Sequence, residues 1–121
     1  MLENERKRLR KLGFVAKANQ VERISLNSVG EGYDILSFED DGSTRRYIEV
    51  KTTIGTGSVI DISKGEWNAA KRHGRRYYLV RVTEAKGEPK LRYFRDPVAY
   101  EKDGLLTRTP TGWRVDLAAI P

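Results

Sequence analysis

Apolar and polar positions along this chain change period several times, and each change marks an element. Leu2 to Leu12 is rich in Glu, Arg, Lys and Leu, with a thin apolar stripe at Leu2, Leu9 and Leu12. That pattern, ending at Gly13, predicts a helix with a glycine stop. Over Val21–Leu26, Val, Ile and Leu alternate with Glu, Arg and Ser, the period of a strand, and the two glycines between Ser28 and Gly32 mark a loop. A hairpin follows: a strand over Tyr33–Glu39, a turn at Asp40-Asp41-Gly42-Ser43, and a strand over Thr44–Thr53.

Gly55-Thr56-Gly57 breaks the pattern before a short expected strand at Val59–Ile62. Ser63-Lys64-Gly65-Glu66 has the form of a capping box, so a helix should run from about Lys64 to His73 and stop at Gly74. Arg75–Val82 is apolar on both faces at its centre, which predicts an interior strand. Beyond a turn at Lys86-Gly87-Glu88-Pro89, the pattern gives a strand at Leu91–Phe94, a short turn or helix at Pro97–Glu101, and a terminal hairpin over Leu105–Leu117 around Pro110-Thr111-Gly112. Helix, three or four strands, helix, then strands is the order of an α/β (α+β) fold with a mixed central sheet flanked by helices. A length of 121 residues fits one domain, with residues 105–117 as an appendage.

Composition narrows the chemistry. There is no Cys, which removes disulfides, thiolate metal sites and a Cys nucleophile, and one His, His73, which excludes a multi-histidine metal site from this chain alone. Any metal would be held by carboxylates, which favours magnesium or manganese over zinc or copper. No apolar run approaches the roughly 18 residues that a spanning helix needs, so the expectation is a soluble, cytoplasmic protein without a membrane partner. Twenty-three Lys and Arg against 17 Asp and Glu leave a net charge of +6, in keeping with a polyanionic partner.

The hairpin carries charge where strands normally bury apolar groups. Glu49 and Lys51 share one face of their strand, with Ile48 and Val50 on the other. If Glu39 faces Thr44 across a four-residue turn, Asp34 stands opposite Glu49; if Asp41 faces Thr44 across a two-residue turn, Asp34 stands opposite Lys51. Either register puts Asp34, Glu49 and Lys51 on one face, because side chains alternate with period two. Two carboxylates so close repel unless a cation sits between them, and a divalent metal would serve. The plain alternative is a cross-strand ion-pair cluster on a solvent-facing sheet.

Five segments in order, Val21-Glu-Arg-Ile-Ser, Gly30-Glu-Gly-Tyr-Asp-Ile-Leu-Ser, Tyr47-Ile-Glu-Val-Lys-Thr-Thr, Ile62-Ser-Lys-Gly-Glu-Trp and Tyr77-Tyr-Leu-Val-Arg-Val, closely resemble the domain named after the C-terminus of the plant protein NO VEIN. That family is placed among the PD-(D/E)XK, or restriction-endonuclease-like, nucleases, and the resemblance runs from about Glu5 to Phe94. It implies a core of helix, three strands, helix and strand, with Mg²⁺ or Mn²⁺ held by Asp34, Glu49 and the Val50 carbonyl. Lys51 would orient or activate the attacking water, and Glu5 on the first helix would also approach the metal. Tyr33 replaces the proline of the motif's name but leaves Asp34 in place. Similar domains often sit at the end of larger DNA-dependent proteins.

The functional expectation is a DNA-binding, divalent-metal-dependent phosphodiesterase acting in restriction, repair or defence against foreign DNA, alone, as a homodimer or within a larger protein. The alternatives are a catalytically silent DNA-binding or protein-recruiting module of the same fold, and a structural interaction domain with no nucleic-acid role. Thr52 at the strand end, and Lys71, Arg72, Arg75 and Arg76 around a helix C-terminus, are candidate phosphate contacts. The helix dipole favours cations at such an end without any ligand. Arg6, Lys7, Arg8, Arg10 and Lys11 form a second basic run, which covers every side of its helix. Glu66 is explained by the capping box, Trp67 and Tyr77 by the core, and His73 by a cap or surface position.

Overall fold

The computed structural model describes residues 1–24, 31–54, 59–85, 88–109 and 118–120. Helix α1 (Leu2–Lys11) ends where Gly13 turns the chain at φ +91°. A second helix, α2 (Val15–Gln20), follows at once. Its six residues are too few to show a helical period, and packing holds it: Ala18 is fully buried. The chain then runs through β1 (Glu22–Arg23), β2 (Ile35–Phe38), β3 (Arg45–Ile54), α3 (Lys64–His73), a 3-10 turn (Gly74–Arg76), β4 (Tyr77–Ala85), β5 (Glu88–Arg95) and α4 (Pro97–Lys102).

The strands form one mixed sheet in chain order. Neighbours are antiparallel except β3 and β4, which pair in parallel because α3 carries the chain back between them. The expected mixed α+β architecture is therefore present. Val59–Ile62 forms no strand: Val59 is exposed, and Ile60 and Ile62 line a cavity beside α3 instead of pairing with the sheet. Residues 105–109 form no strand either, and residues 110–117 of the expected terminal hairpin lie outside the described residues, as do 25–30, 55–58 and 86–87.

Strand parity divides the molecule into two layers. On one face Ile35, Ile48, Tyr78 and Val80 pack with Leu9 of α1 and Ala18 of α2, the larger core cluster. On the other face Ala69 and Ala70 of α3 pack with Tyr77, flanked by Tyr33, Tyr47 and Val98. Helix α3 is fixed at its start by a complete capping box, the Ser63 side chain accepting from the Glu66 amide and the Glu66 carboxylate accepting from the Ser63 amide. At its end Gly74 takes φ +56°.

The first face also buries charge. Glu5, 1% exposed, occupies the gap that made the α1 stripe look thin. It accepts from Ser37 Oγ at 2.8 Å and Tyr93 Oη at 2.7 Å, and pairs with Arg8 at 3.0 Å and Arg46 at 3.4 Å. Arg46 lies 4.2 Å from the Tyr78 ring and donates to Glu39 at 3.0 Å, while Tyr78 Oη donates to the same carboxylate at 2.9 Å. Glu5 and Arg46 are thus both ion-paired and hydrogen-bonded, as buried ions must be, while Arg46 Nε and Glu39 Oε1 have no hydrogen-bond partner among the described residues.

Candidate active site

The turn between β2 and β3 sets the geometry. Asp41 Oδ1 accepts from the Ser43 and Thr44 amides at 2.8 Å each, and the Glu39 amide donates to the Thr44 carbonyl at 2.8 Å, which closes the four-residue turn. Ile35 then pairs with Ile48, so Asp34 stands opposite Glu49. Backbone bonds fix Asp34 on both sides: its N–H donates to the Ile48 carbonyl and its carbonyl accepts from the Ile24 N–H, both at 2.7 Å. Its Oδ2 accepts from the Val50 N–H at 2.9 Å, so the carboxylate is held over β3.

Gly32 makes this approach possible. A Cβ there would stand 2.6 Å from Ala69 Cβ and 2.7 Å from the Gly65 carbonyl oxygen, and the residue adopts φ +83°. Only glycine lets the segment before Asp34 cross the start of α3 so closely. The Tyr77 hydroxyl ties the same segment down by donating to the Gly32 carbonyl at 2.9 Å.

Glu49, 4% exposed, lies at the centre of the group. Burial, hydrogen bonds to Glu66 and Asp34, and the charges of both push its carboxyl up to about 9. Glu49 therefore carries a proton at neutral pH in this state. Burial also resists ionisation of Glu66, but hydrogen bonds from Lys51, the Ser63 amide and Glu49 outweigh it and hold that carboxyl below its ordinary range. Lys51 Nζ donates to Glu66 Oε1 at 2.8 Å, and the Ser63 amide donates to the same oxygen at 2.8 Å. Glu66 thus serves both the cap of α3 and the ammonium of Lys51. Its i to i+3 spacing from Ser63 gives the first role away, whereas the second is a long-range contact without a local signature.

Asp34, Glu49 and Lys51 are brought together, on the face covered by α3. Glu5 is not among them. Its partners Ser37 and Arg46 pair across β2 and β3, and Arg46 is an odd number of residues from Glu49, so Glu5 lies on the opposite side of the sheet. Thr52 is exposed and has the parity of Ile48 and Val50, so its side chain also leaves the Lys51 face. Lys71, Arg72, Arg75 and Arg76 are exposed near the far end of α3. Arg6 and Arg8 of the other basic run are engaged internally, Arg6 with the Val21 carbonyl at 3.0 Å and Arg8 with Glu5, Asp40 and the Phe38 carbonyl. His73 stacks on Tyr47 at 3.7 Å, rather than capping α3 or standing free at the surface, and burial with Arg72 and Arg76 nearby lowers its pKa. Trp67 and Tyr77 are buried, as core residues should be.

Among the described residues, no three or more His, Cys, Asp and Glu side chains form a ready-made metal group. Glu66 is committed to Lys51 and Ser63, which leaves two carboxylates, Asp34 and Glu49, facing each other.

The segment that presents Asp34, the strand that presents Glu49 and Lys51, and the capped helix that presents Glu66 all fall within residues 1–94, which match the family model "Protein NO VEIN, C-terminal". The chain belongs to the NO VEIN C-terminal family. It is 32% identical over 98 residues to Protein NO VEIN-LIKE of Arabidopsis thaliana, covering 77% of this chain and 15% of that protein. The NO VEIN C-terminal domain thus spans a small part of that relative's length. No solved structure matches the chain. Among the described residues of this NO VEIN C-terminal domain, no helix is long and apolar enough to cross a membrane.

Proposed function

We propose that this domain is a divalent-metal-dependent phosphodiesterase acting on DNA, built on a restriction-endonuclease-like core. The observation that carries the reading is the convergence of Asp34 and Glu49 beside Lys51 on one buried face, with the Asp34 carboxylate bonded to the Val50 amide. The order α1, β1, β2, β3, α3, β4 matches the helix, three strands, helix and strand of that core, with α2 as an addition.

The donor set fits magnesium or manganese. A proton on Glu49 now offsets the mutual repulsion of the carboxyl groups, and a cation held by Asp34, Glu49 and the Val50 carbonyl would take over that role. Two carboxylates and a carbonyl, completed by water and phosphate oxygens, are an ordinary magnesium environment. Bound there, the ion supplies charge neutralisation at the phosphate and lowers the pKa of a coordinated water.

The chain's own residues do the rest. Lys51 has three N–H donors and spends one on Glu66, which leaves two for water or phosphate oxygens. It orients the attacking water and stabilises negative charge on the phosphoryl oxygens. Hydrolysis joins the water oxygen to phosphorus and breaks the bond to the leaving sugar oxygen, which takes up a proton. Glu66 is a positioning residue in this scheme, acting through Lys51.

A second reading, a silent DNA-binding or recruiting module, draws on the same Lys51–Glu66 bond, which partly neutralises the lysine. Supercoiled plasmid incubated with magnesium or manganese separates the two. The nuclease reading expects metal-dependent nicking that falls at least about 100-fold in Glu49→Ala and Lys51→Ala. Salt-sensitive DNA binding by the wild type without metal-dependent nicking would overturn it.

A further inference from the structure

A cavity of about 560 Å³ adjoins the Glu49 group along α3, within the ~300–1,000 Å³ range of small-molecule sites. Two of its walls join it to that group. Leu79 lines it and pairs with Glu49 across the parallel β3/β4 ladder, and Ser63, which caps α3 through Glu66, lines its other side. Ile62 and Leu106 supply further apolar surface. Trp67 lies in the wall, 4% exposed, and its buried indole N–H has no hydrogen-bond partner among the described residues. A buried donor left unmatched costs free energy that a ligand acceptor would recover. Lys64, Lys71 and Arg108 also line the cavity, against the single acid Glu101, so the rim is net positive. Glu101 holds Arg108, whose guanidinium carbon lies 4.2 Å from the centroid of the Trp67 ring. The indole and the guanidinium packed on it give this part of the cavity wall aromatic and cationic character.

We propose that this cavity receives one nucleobase of a DNA strand whose phosphodiester lies at the Asp34–Glu49–Lys51 group. This deepens the proposed function and rests on it for the position of the phosphate. Apolar walls take the faces of the base, the Trp67 N–H donates to a ring nitrogen or carbonyl on its edge, and the rim cations take the flanking phosphates. Enzymes whose chemistry is on a base draw it out of the stack into a closely fitting pocket, at least cost from a single strand, and a pocket beside a backbone-cleaving site can hold a base in the same way. Neither the apolar walls nor the unmatched donor is needed for backbone binding alone, which requires only cations.

The test measures binding with EDTA present, so that cleavage plays no part. Affinities of the full chain are compared for short single-stranded deoxyoligonucleotides and for abasic oligonucleotides of the same length. The expected result is about ten-fold or greater loss with the abasic series for the wild type, the order of magnitude that one held base contributes by stacking. Leu106→Trp, which fills the cavity, should abolish the difference while leaving the salt-dependent backbone affinity. Trp67→Phe, which keeps an aromatic ring but removes the five-membered ring with its N–H, should reduce it. The wild-type comparison stands without either variant if one fails to fold. Equal affinity for base-bearing and abasic strands, or no binding of either, would overturn the pocket. Base-dependent binding without metal-dependent nicking would leave the pocket standing and remove the nuclease reading, whereas nicking without base dependence would do the reverse.

Discussion

Glu49 is the residue on which the site turns, and its proton has a consequence for stability. Burial beside Glu66 and Asp34 pushes its folded carboxyl up to about 9, from an ordinary value of 4.5. Between those values the folded state holds a proton that the unfolded state has released, so metal-free stability falls as pH rises through that window. The limit is about 1.4 kcal/mol per pH unit. Glu49→Gln keeps a neutral side chain at every pH and should flatten that slope. Urea unfolding in EDTA at pH 5.5 and 8.5 checks it: the wild type should lose more stability than the variant, and parallel losses would refute the assignment. Asp34, Glu49 and Lys51 were legible from parity alone. Arg46 carried an equal signal, a charge on the Ile48 and Val50 face, and that signal marks the buried pairing with Glu5 and Glu39. Glu5 itself was not legible, because a carboxylate on a charge-rich helix reads as solvated until the strands bring Ser37, Arg46 and Tyr93 to it.

At the level of elements, the hairpin and α3 act as one unit. Turn chemistry at Asp41 fixes the register, the capping box fixes the start of α3, and Gly32 lets the two meet. Gly32→Ala forces a methyl group against Ala69 and the Gly65 carbonyl at a φ of +83°. The expected loss is about 2–4 kcal/mol by thermal or urea unfolding, from overpacking plus backbone strain. An unchanged melting curve would mean that the segment before Asp34 does not cross α3 as described. The hairpin and α3 could be read from the sequence because their signals are local: alternation, a turn aspartate, a cap and a glycine stop. Helix α2 and the paths of residues 59–62 and 105–109 depend on tertiary packing, which leaves no period in a short segment.

Across the whole molecule, charge is arranged by position rather than by total. Arg6 and Arg8 help hold α1 to the sheet, and Arg10 pairs with Glu3, which leaves Lys7 and Lys11 as the exposed cations of that helix without an ion pair among the described residues. Lys71, Arg72, Arg75 and Arg76 remain exposed near the start of β4, where Tyr77 pairs with Tyr47. Tyr47 is four residues from Lys51, roughly 13 Å along the strand, or about four base steps of duplex. If DNA runs from Lys51 toward this end, Arg75→Ala with Arg76→Ala should lower the slope of log affinity against log salt by up to about 1.8. An unchanged slope would place the phosphate path elsewhere. The central claim, that Asp34 and Glu49 form a divalent-cation site, is tested most directly by calorimetric titration of the wild type with manganese. One saturable site per chain is expected, lost in Asp34→Asn and Glu49→Gln and retained in folded Glu5→Gln, whose carboxylate lies across the sheet. Absence of saturable binding at millimolar manganese, or binding that survives loss of both carboxylates, would contradict it.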